Sequence, residues 1–142
     1  MKNLLIKTNP LIYVLLIVFT FTTCKKDDSG NMTVKTGDWY GTDISFTVGG
    51  SPQKISNLEF SYSGHATGTI CNFDYESTAS FVYVTEIEGN AFTADINTYT
   101  ISGTFMSDTT AEIKITWTIY DSNCDANYSG DRTYTASCNS LR

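Results

Sequence analysis

From residue 37 onward, apolar and polar side chains alternate. Ala111, Ile113, Ile115, Trp117 and Ile119 interleave with Glu112, Lys114, Thr116, Thr118 and Tyr120. That period of two marks a strand with one dry and one wet face. Tyr99, Ile101, Gly103 and Phe105 alternate with Thr100, Ser102 and Thr104 in the same way, and Phe92, Ala94 and Ile96 form one face of a shorter strand. Residues 80–87 (SFVYVTEI) are apolar on both faces for part of their length. Turn-forming residues fall between these runs: Gly49-Gly50, Ser63-Gly64-His65, Glu88-Gly89-Asn90, Asn97-Thr98 and Ser107-Asp108. The pattern predicts strands near 39–48, 54–62, 67–71, 78–87, 91–96, 99–105, 111–120 and 132–138. No stretch carries a helical period over three turns. The expected fold is all-β, an antiparallel meander of about eight strands. A small closed barrel, which leaves no strand edge unpaired, is one solution and a β-sandwich is the alternative. Gly103 within a strand would permit tight curvature or a bulge.

The first residues follow another rule. Lys2 and Lys7 precede an apolar run, Leu11 to Phe21, broken only by Thr20. That run is shorter than the ~20 residues a membrane-spanning helix needs, and it has the form of a signal-peptide core. Thr22-Thr23 then lead into Cys24. A Cys directly after the core resembles a bacterial lipobox, although Phe21 and Thr23 stand where Leu and a small Ala or Gly are usual. Cys24-Lys25-Lys26-Asp27-Asp28 resembles the export signal of Bacteroidota surface lipoproteins, with Lys26, Asp27 and Asp28 as its signal residues. The resemblance implies cleavage before Cys24, lipid on its sulfur, and an outer-membrane anchor facing the cell exterior. Two or three acyl chains on one residue would hold the protein stably, whereas one chain is marginal.

This divides the chain into a signal peptide at 1–23, a lipidated Cys and flexible tether at 24–36, and one all-β domain at 37–142. The domain carries four basic residues against thirteen acidic ones, a net charge of −9, within a chain of 142 residues at −6. Such a domain lacks the clustered Lys and Arg of nucleic-acid binding. Anionic lipid headgroups would repel it, so the N-terminal lipid alone would attach it to the membrane.

Gly37-Asp38-Trp39 opens the first predicted strand. It resembles the Gly-x-Trp start of the calycin superfamily, which includes the avidins. The resemblance implies a barrel whose Trp closes one end beneath a basic residue from the last strand, a part that falls here to Arg132. It extends weakly to Tyr40, Ser45-Phe46-x-Val48 and Trp117, and no biotin-contacting set can be placed.

Cysteine positions test the meander. With Cys24 lipidated, Cys71, Cys124 and Cys138 remain, and an exported chain meets oxidising conditions. In an up-and-down meander Cys71 and Cys124 lie at one end and Cys138 at the other. Bridged Cα atoms must approach within ~7 Å, so the expected disulfide is Cys71–Cys124, with Cys138 free or buried.

Little catalytic chemistry is legible. His65 is the only histidine and reads as an exposed turn residue; no Cys-x-x-Cys, phosphate loop or His-acid metal spacing occurs. An enzyme is not expected, and no catalytic residue or cofactor is assigned. Asp121, Asn123, Asp125 and Asn127 place oxygen-bearing side chains at alternate positions, a spacing calcium loops use. Ala126 and Arg132 break the EF-hand pattern, and a hairpin loop rich in Asx turns explains the composition equally. Tyr120 and Tyr128 flank this loop, and such rings beside acids and amides can stack sugars. These six residues form the candidate loop for a glycan or a cation. Asp108-Thr109-Thr110 also resembles an O-glycosylation pattern of Bacteroidota exported proteins, as an ordinary hairpin turn would.

The expected function is a non-enzymatic surface lipoprotein whose small β domain binds a ligand or partner protein, accessory to outer-membrane uptake. A calycin-like carrier of a small apolar ligand and a structural surface protein are the alternatives. Bulky inward residues (Trp39, Phe46, Phe60, Phe81, Phe105, Ile115, Trp117) favour a packed interior over a carrier's cavity.

Overall fold

The structure, a computed structural model, describes residues 32–68 and 70–138. Eight strands form one antiparallel sheet: β1 (Gly37–Gly41), β2 (Ile44–Gly49), β3 (Lys54–Thr67), β4 (Asn72–Glu86), β5 (Ala91–Ile96), β6 (Tyr99–Phe105), β7 (Thr110–Asp121) and β8 (Ala126–Ser137). No helix occurs among the described residues. The order across the sheet is β4-β3-β2-β1-β8-β7-β6-β5. Sequence neighbours pair throughout except β4 and β5, while the first and last strands pair with each other. The sheet therefore curls into a half-barrel and is not closed by a β4–β5 ladder. A single bridge, Glu88 to Ala91, spans the turn between them. The expected closed barrel is corrected in this respect, and the sandwich alternative gives way to one sheet. At its other end the β3–β4 hairpin is tied to the β7–β8 turn through Cys71 and Cys124.

The expected count of eight is right, but several boundaries are not, and two of the errors change which strands exist. Residues 39–48 fold as two strands around a turn at Thr42-Asp43, where Asp43 takes a left-handed φ of 62° that aspartate tolerates. The apolar parity changes there. Trp39 is buried at an odd position and Ile44, Phe46 and Val48 at even ones, as a two-residue hairpin requires, and Trp39 stacks on Phe46 at 5.6 Å. The second error runs the other way. Ser63-Gly64-His65 is no turn, because Leu58, Phe60, Tyr62, Gly64 and Ala66 hold one parity and β3 continues to Thr67. One strand gained and one lost preserve the up-and-down sense. The end at which each cysteine falls depends on that sense alone.

The core lies on the concave face. Trp39, Phe46, Phe60, Phe105, Ile101, Ile113 and Ile115 are each at most 2% exposed. Of the predicted inward residues only Phe81 stays partly exposed. Strand glycines admit large rings across a ladder. Gly103 faces Phe92 and Gly130 faces Trp117, and a Cβ at either would collide with the ring. Gly103 thus makes room for an aromatic side chain in an unbroken ladder.

One end of the half-barrel, the base, carries the turns at 50–53, 87–90 and 106–109. Residues 32–36 cross it, and this corrects the expected tether: the folded unit starts before Gly37. Val34 is 1% exposed; Lys35 N–H donates to the Asp108 carbonyl (3.0 Å), and Gln53 Nε2 donates to the Val34 carbonyl (2.7 Å). Met32 and Val34 are too short an apolar run to establish a period, which is why the sequence pattern misses them. Trp39 Nε1 donates to the Lys35 carbonyl (3.1 Å). Arg132 does not cover Trp39. It joins β8 to the β1–β2 turn and to β3, donating to Asp43 Oδ2 (2.7 Å) and the Ser61 carbonyl (3.3 Å), with its guanidinium over the Tyr134 ring. The first 31 residues, including the signal peptide, most of the tether, Cys24, Lys26, Asp27 and Asp28, lie outside the described residues.

Candidate functional site at the disulfide-clamped end

The opposite, distal end is built from the tips of the two long hairpins, β3–β4 and β7–β8. Cys71 follows the first tip and Cys124 lies in the second; they are bridged, with Cα atoms 5.3 Å apart. The expected pairing is present, and Cys138 is free and buried at the base, where its N–H donates to the Thr109 carbonyl. Gly68 fits against Ala126 and the Cys124 carbonyl, where a Cβ would collide. Behind the bridge a second small core gathers Ala66, Cys124, Ala126 and Tyr128.

The six residues of the candidate loop do not converge. The polar loop contracts to a turn at 122–125, and β8 begins at Ala126, six residues earlier than expected. Asp121 pairs with Ala126 and Tyr120 with Asn127, so Asp121 and Tyr128 share the inner face while Tyr120 and Asn127 point outward. Both Asp121 oxygens are engaged: Oδ1 accepts the Asn123 N–H (2.8 Å) and Oδ2 accepts the Tyr128 hydroxyl (2.9 Å). These bonds favour the carboxylate and hold Asp121 below the usual range, the backbone N–H first. Partial burial and the same bond hold the Tyr128 phenol above its usual value. On the outer face Tyr120, 60% exposed, donates to Asp125 Oδ1 (2.9 Å). Asp125 has φ 45°, the left-handed turn position. This is the Asx-turn arrangement, and no group of three His, Cys, Asp or Glu side chains able to hold a metal ion occurs among the described residues.

The tyrosines organise the interior beneath. Tyr75 stacks on Tyr128 at 5.2 Å, and its hydroxyl accepts the Trp117 indole N–H (2.8 Å). Gly64, opposite Tyr75 in register, leaves room for that ring. The Tyr62 and Tyr99 hydroxyls lie 2.8 Å apart, and burial with this contact raises the Tyr99 phenol well above its ordinary value. Tyr134 donates to the Ser61 carbonyl (2.8 Å).

Sequence reasoning missed one polar cluster. His65 lies within β3, not in a turn. Its Nδ1 is 2.7 Å from Asp74 Oδ1 and its Nε2 is 2.6 Å from Asn72 Oδ1, across the β3–β4 ladder. Both ring nitrogens face oxygen acceptors, so the doubly protonated ring satisfies both. The Asp74 bond, then the Asn72 bond, raises the imidazole above 6.5. The second nitrogen faces an amide, where a nucleophile–base pair would need a hydroxyl. Unbroken even parity through Gly64 was the available signal, since it puts His65 and Asp74 side by side.

These features define an all-β half-barrel domain whose two long hairpins are joined by one disulfide. The chain matches no known protein family, no curated protein and no solved structure.

Proposed function

We propose that the protein is a surface lipoprotein, anchored through Cys24 to the outer membrane, whose β domain presents its distal end to a ligand or partner protein. The observation that carries this reading is the separation of the two ends. The described chain begins at the base with Val34 in the core, while Tyr120, Asp125, Asn127 and His65 lie at the disulfide-clamped tips. Twelve-residue β7 alone spans roughly 40 Å between them. A lipid just upstream of residue 32 would hold the base toward the membrane and the tips away from it. A disulfide fits an exported, oxidised location.

A filled interior supports binding at the surface over carriage inside. Trp39, Phe46, Phe60, Phe105 and Trp117 occupy the concave space. Two hollows among the described residues are open to solvent and lined by both polar and apolar groups. One of about 360 Å³ lies between Thr85-Glu86 and Ala91–Thr93; another of about 490 Å³ lies beside Ser63, Asp74 and Glu76. Metabolic labelling with radioactive palmitate, comparing the native chain with Cys24→Ala, tests the anchor. Loss of label and of membrane retention in the variant is expected, and a variant that stays labelled and attached overturns the reading. Proteolysis of intact cells reports which way the domain faces. A thermal-shift screen with calcium, chelator and oligosaccharides tests the distal loop, since a ligand that binds only the folded state raises the midpoint.

A further inference from the structure

We propose that the free edge of β4 is a strand-addition site for an extended segment of a partner protein, basic on one face and apolar on the other. The inference rests on the partner-binding reading above and names a site and a partner chemistry for it.

β4 pairs with β3 along its whole length, and among the described residues no strand pairs with its other side. Its outward backbone N–H and C=O groups form a ready template for another extended chain. Proteins blunt such edges with charges, proline or bulges. β4 has a register shift near its base end, and Asp74 and Glu76 near its tip. Between them, residues 77–82 (STASFV) carry neither charge nor proline.

The two faces beside the edge specify the occupant. On the concave side Ala79, Phe81, Ala94, Ile96 and Tyr99 pack on the core yet remain partly exposed, because no strand covers the seam between β4 and β5. An added strand would lay every second side chain over them, so those positions are apolar. On the convex side Val82 is 82% exposed, and acidic charges outnumber basic ones: Glu76 and Glu59 stand without a basic partner in register, while Glu86 faces Lys54 and Asp74 holds His65. The intervening positions of the partner are therefore Lys or Arg. Charge selects a foreign strand over a second copy, since each copy carries the same excess of acid.

The probe is a short synthetic peptide in which valine alternates with lysine and threonine. The target is the full-length lipidated protein in detergent micelles, ¹⁵N-labelled. The expected result is roughly tenfold slower amide exchange at alternate residues between Tyr75 and Val84, with β7 unchanged. Replacing the lysines of the peptide by glutamate abolishes this protection. Glu76→Lys, an exposed change in a strand that stays paired to β3, weakens the basic peptide roughly threefold and favours the acidic one. Equal binding of a peptide with its valines made contiguous overturns the proposal, as does protection at residues 122–125 alone. Protection of β4 that grows with protein concentration without peptide also overturns it, assigning the edge to a second copy. The palmitate and surface-proteolysis assays do not involve β4. Failure of the peptide with those assays intact refutes the edge alone, and their failure refutes the anchored-protein reading whatever the peptide does.

Discussion

At the base, the meeting rings are Trp39, Phe46, Phe92 and Phe105, with Ile101 and Ile113 around them; one polar tip, the Trp39 indole, is satisfied by a backbone carbonyl. Toward the distal end, the rings are Tyr62, Tyr75, Tyr99 and Tyr128 with Trp117, and nearly every ring brings a hydroxyl or indole N–H that must be paired. Burial of apolar surface is non-directional and grows with area, so the base resists unfolding through volume alone. A buried hydroxyl gains little when paired and costs more when orphaned. The distal end therefore trades hydrophobic yield for geometric definition, and it also carries the cross-link. The comparison implies that the base supplies most of the stability and that the distal end depends on its bonds.

The largest effect is expected at the base. Phe105 touches both Trp39 and Phe92 and is fully buried. Phe105→Ala is expected to cost about 3–5 kcal/mol, the sum of lost transfer energy and an unfilled cavity. Urea unfolding checks it, and a loss below about 1 kcal/mol would show that the base is not the stabilising half. Next is the bridge, which closes a separation of 53 residues. Cys71→Ser with Cys124→Ser is expected to cost about 2–4 kcal/mol by the loop-closure argument. Amide exchange should quicken around Ala66 and Tyr128 before it does around Ile113. Uniform quickening would mean that the two ends unfold as one unit and the comparison has no energetic content.

A smaller effect isolates a single distal bond. Tyr75→Phe keeps the ring against Gly64 and Tyr128 but orphans the Trp117 indole N–H. The expected cost is about 1–2 kcal/mol, more than removing a surface hydroxyl would cost. Near-ultraviolet circular dichroism and the unfolding midpoint read it together. An unchanged midpoint would mean that water replaces the phenol and that the distal interior is wet.

How far the sequence carried the reading follows from parity. β6 and β7 keep strict alternation over their full length, and both were legible nearly to the residue. The β1–β2 hairpin was hidden because apolar residues stand on both sides of the short Gly41-Thr42-Asp43 break, and the switch from odd to even apolar positions is what betrays the turn there. At Gly64 a turn-forming residue had been placed inside a strand to make room for Tyr75, so local turn chemistry pointed the wrong way. The disulfide was legible because it needs only the ends at which cysteines fall. The candidate loop was legible as a polar tip. That its six side chains divide between two faces was not, since the division depends on β8 starting at Ala126, where small and polar residues mask the period. The open seam left no sequence signal, because pairing of β4 with β5 is a tertiary matter.

The smallest expected effect lies in the His65 cluster, where the distal end's reliance on specific bonds becomes a dependence on pH. His65 is held above its ordinary 6.5 by Asp74 and Asn72. A raised folded-state value contributes stability that is fully present below the unfolded value and is lost as pH rises through the folded one. Asp121 has the opposite sign: its lowered value contributes stability above the ordinary carboxylate range, lost as pH falls through the folded value. The distal end should thus be firmest in mildly acidic solution and loosen on either side, while the base, built on uncharged side chains, changes little. His65→Gln removes only the alkaline limb. Its midpoint should fall below that of the native protein near pH 5 and converge with it as pH rises through the raised imidazole value. Imidazole ¹H–¹⁵N spectra report that value directly. A titration at or below 6.5 would show the Asp74 contact to be too loose in solution to matter, and the pH sensitivity of this end would then rest on Asp121 alone.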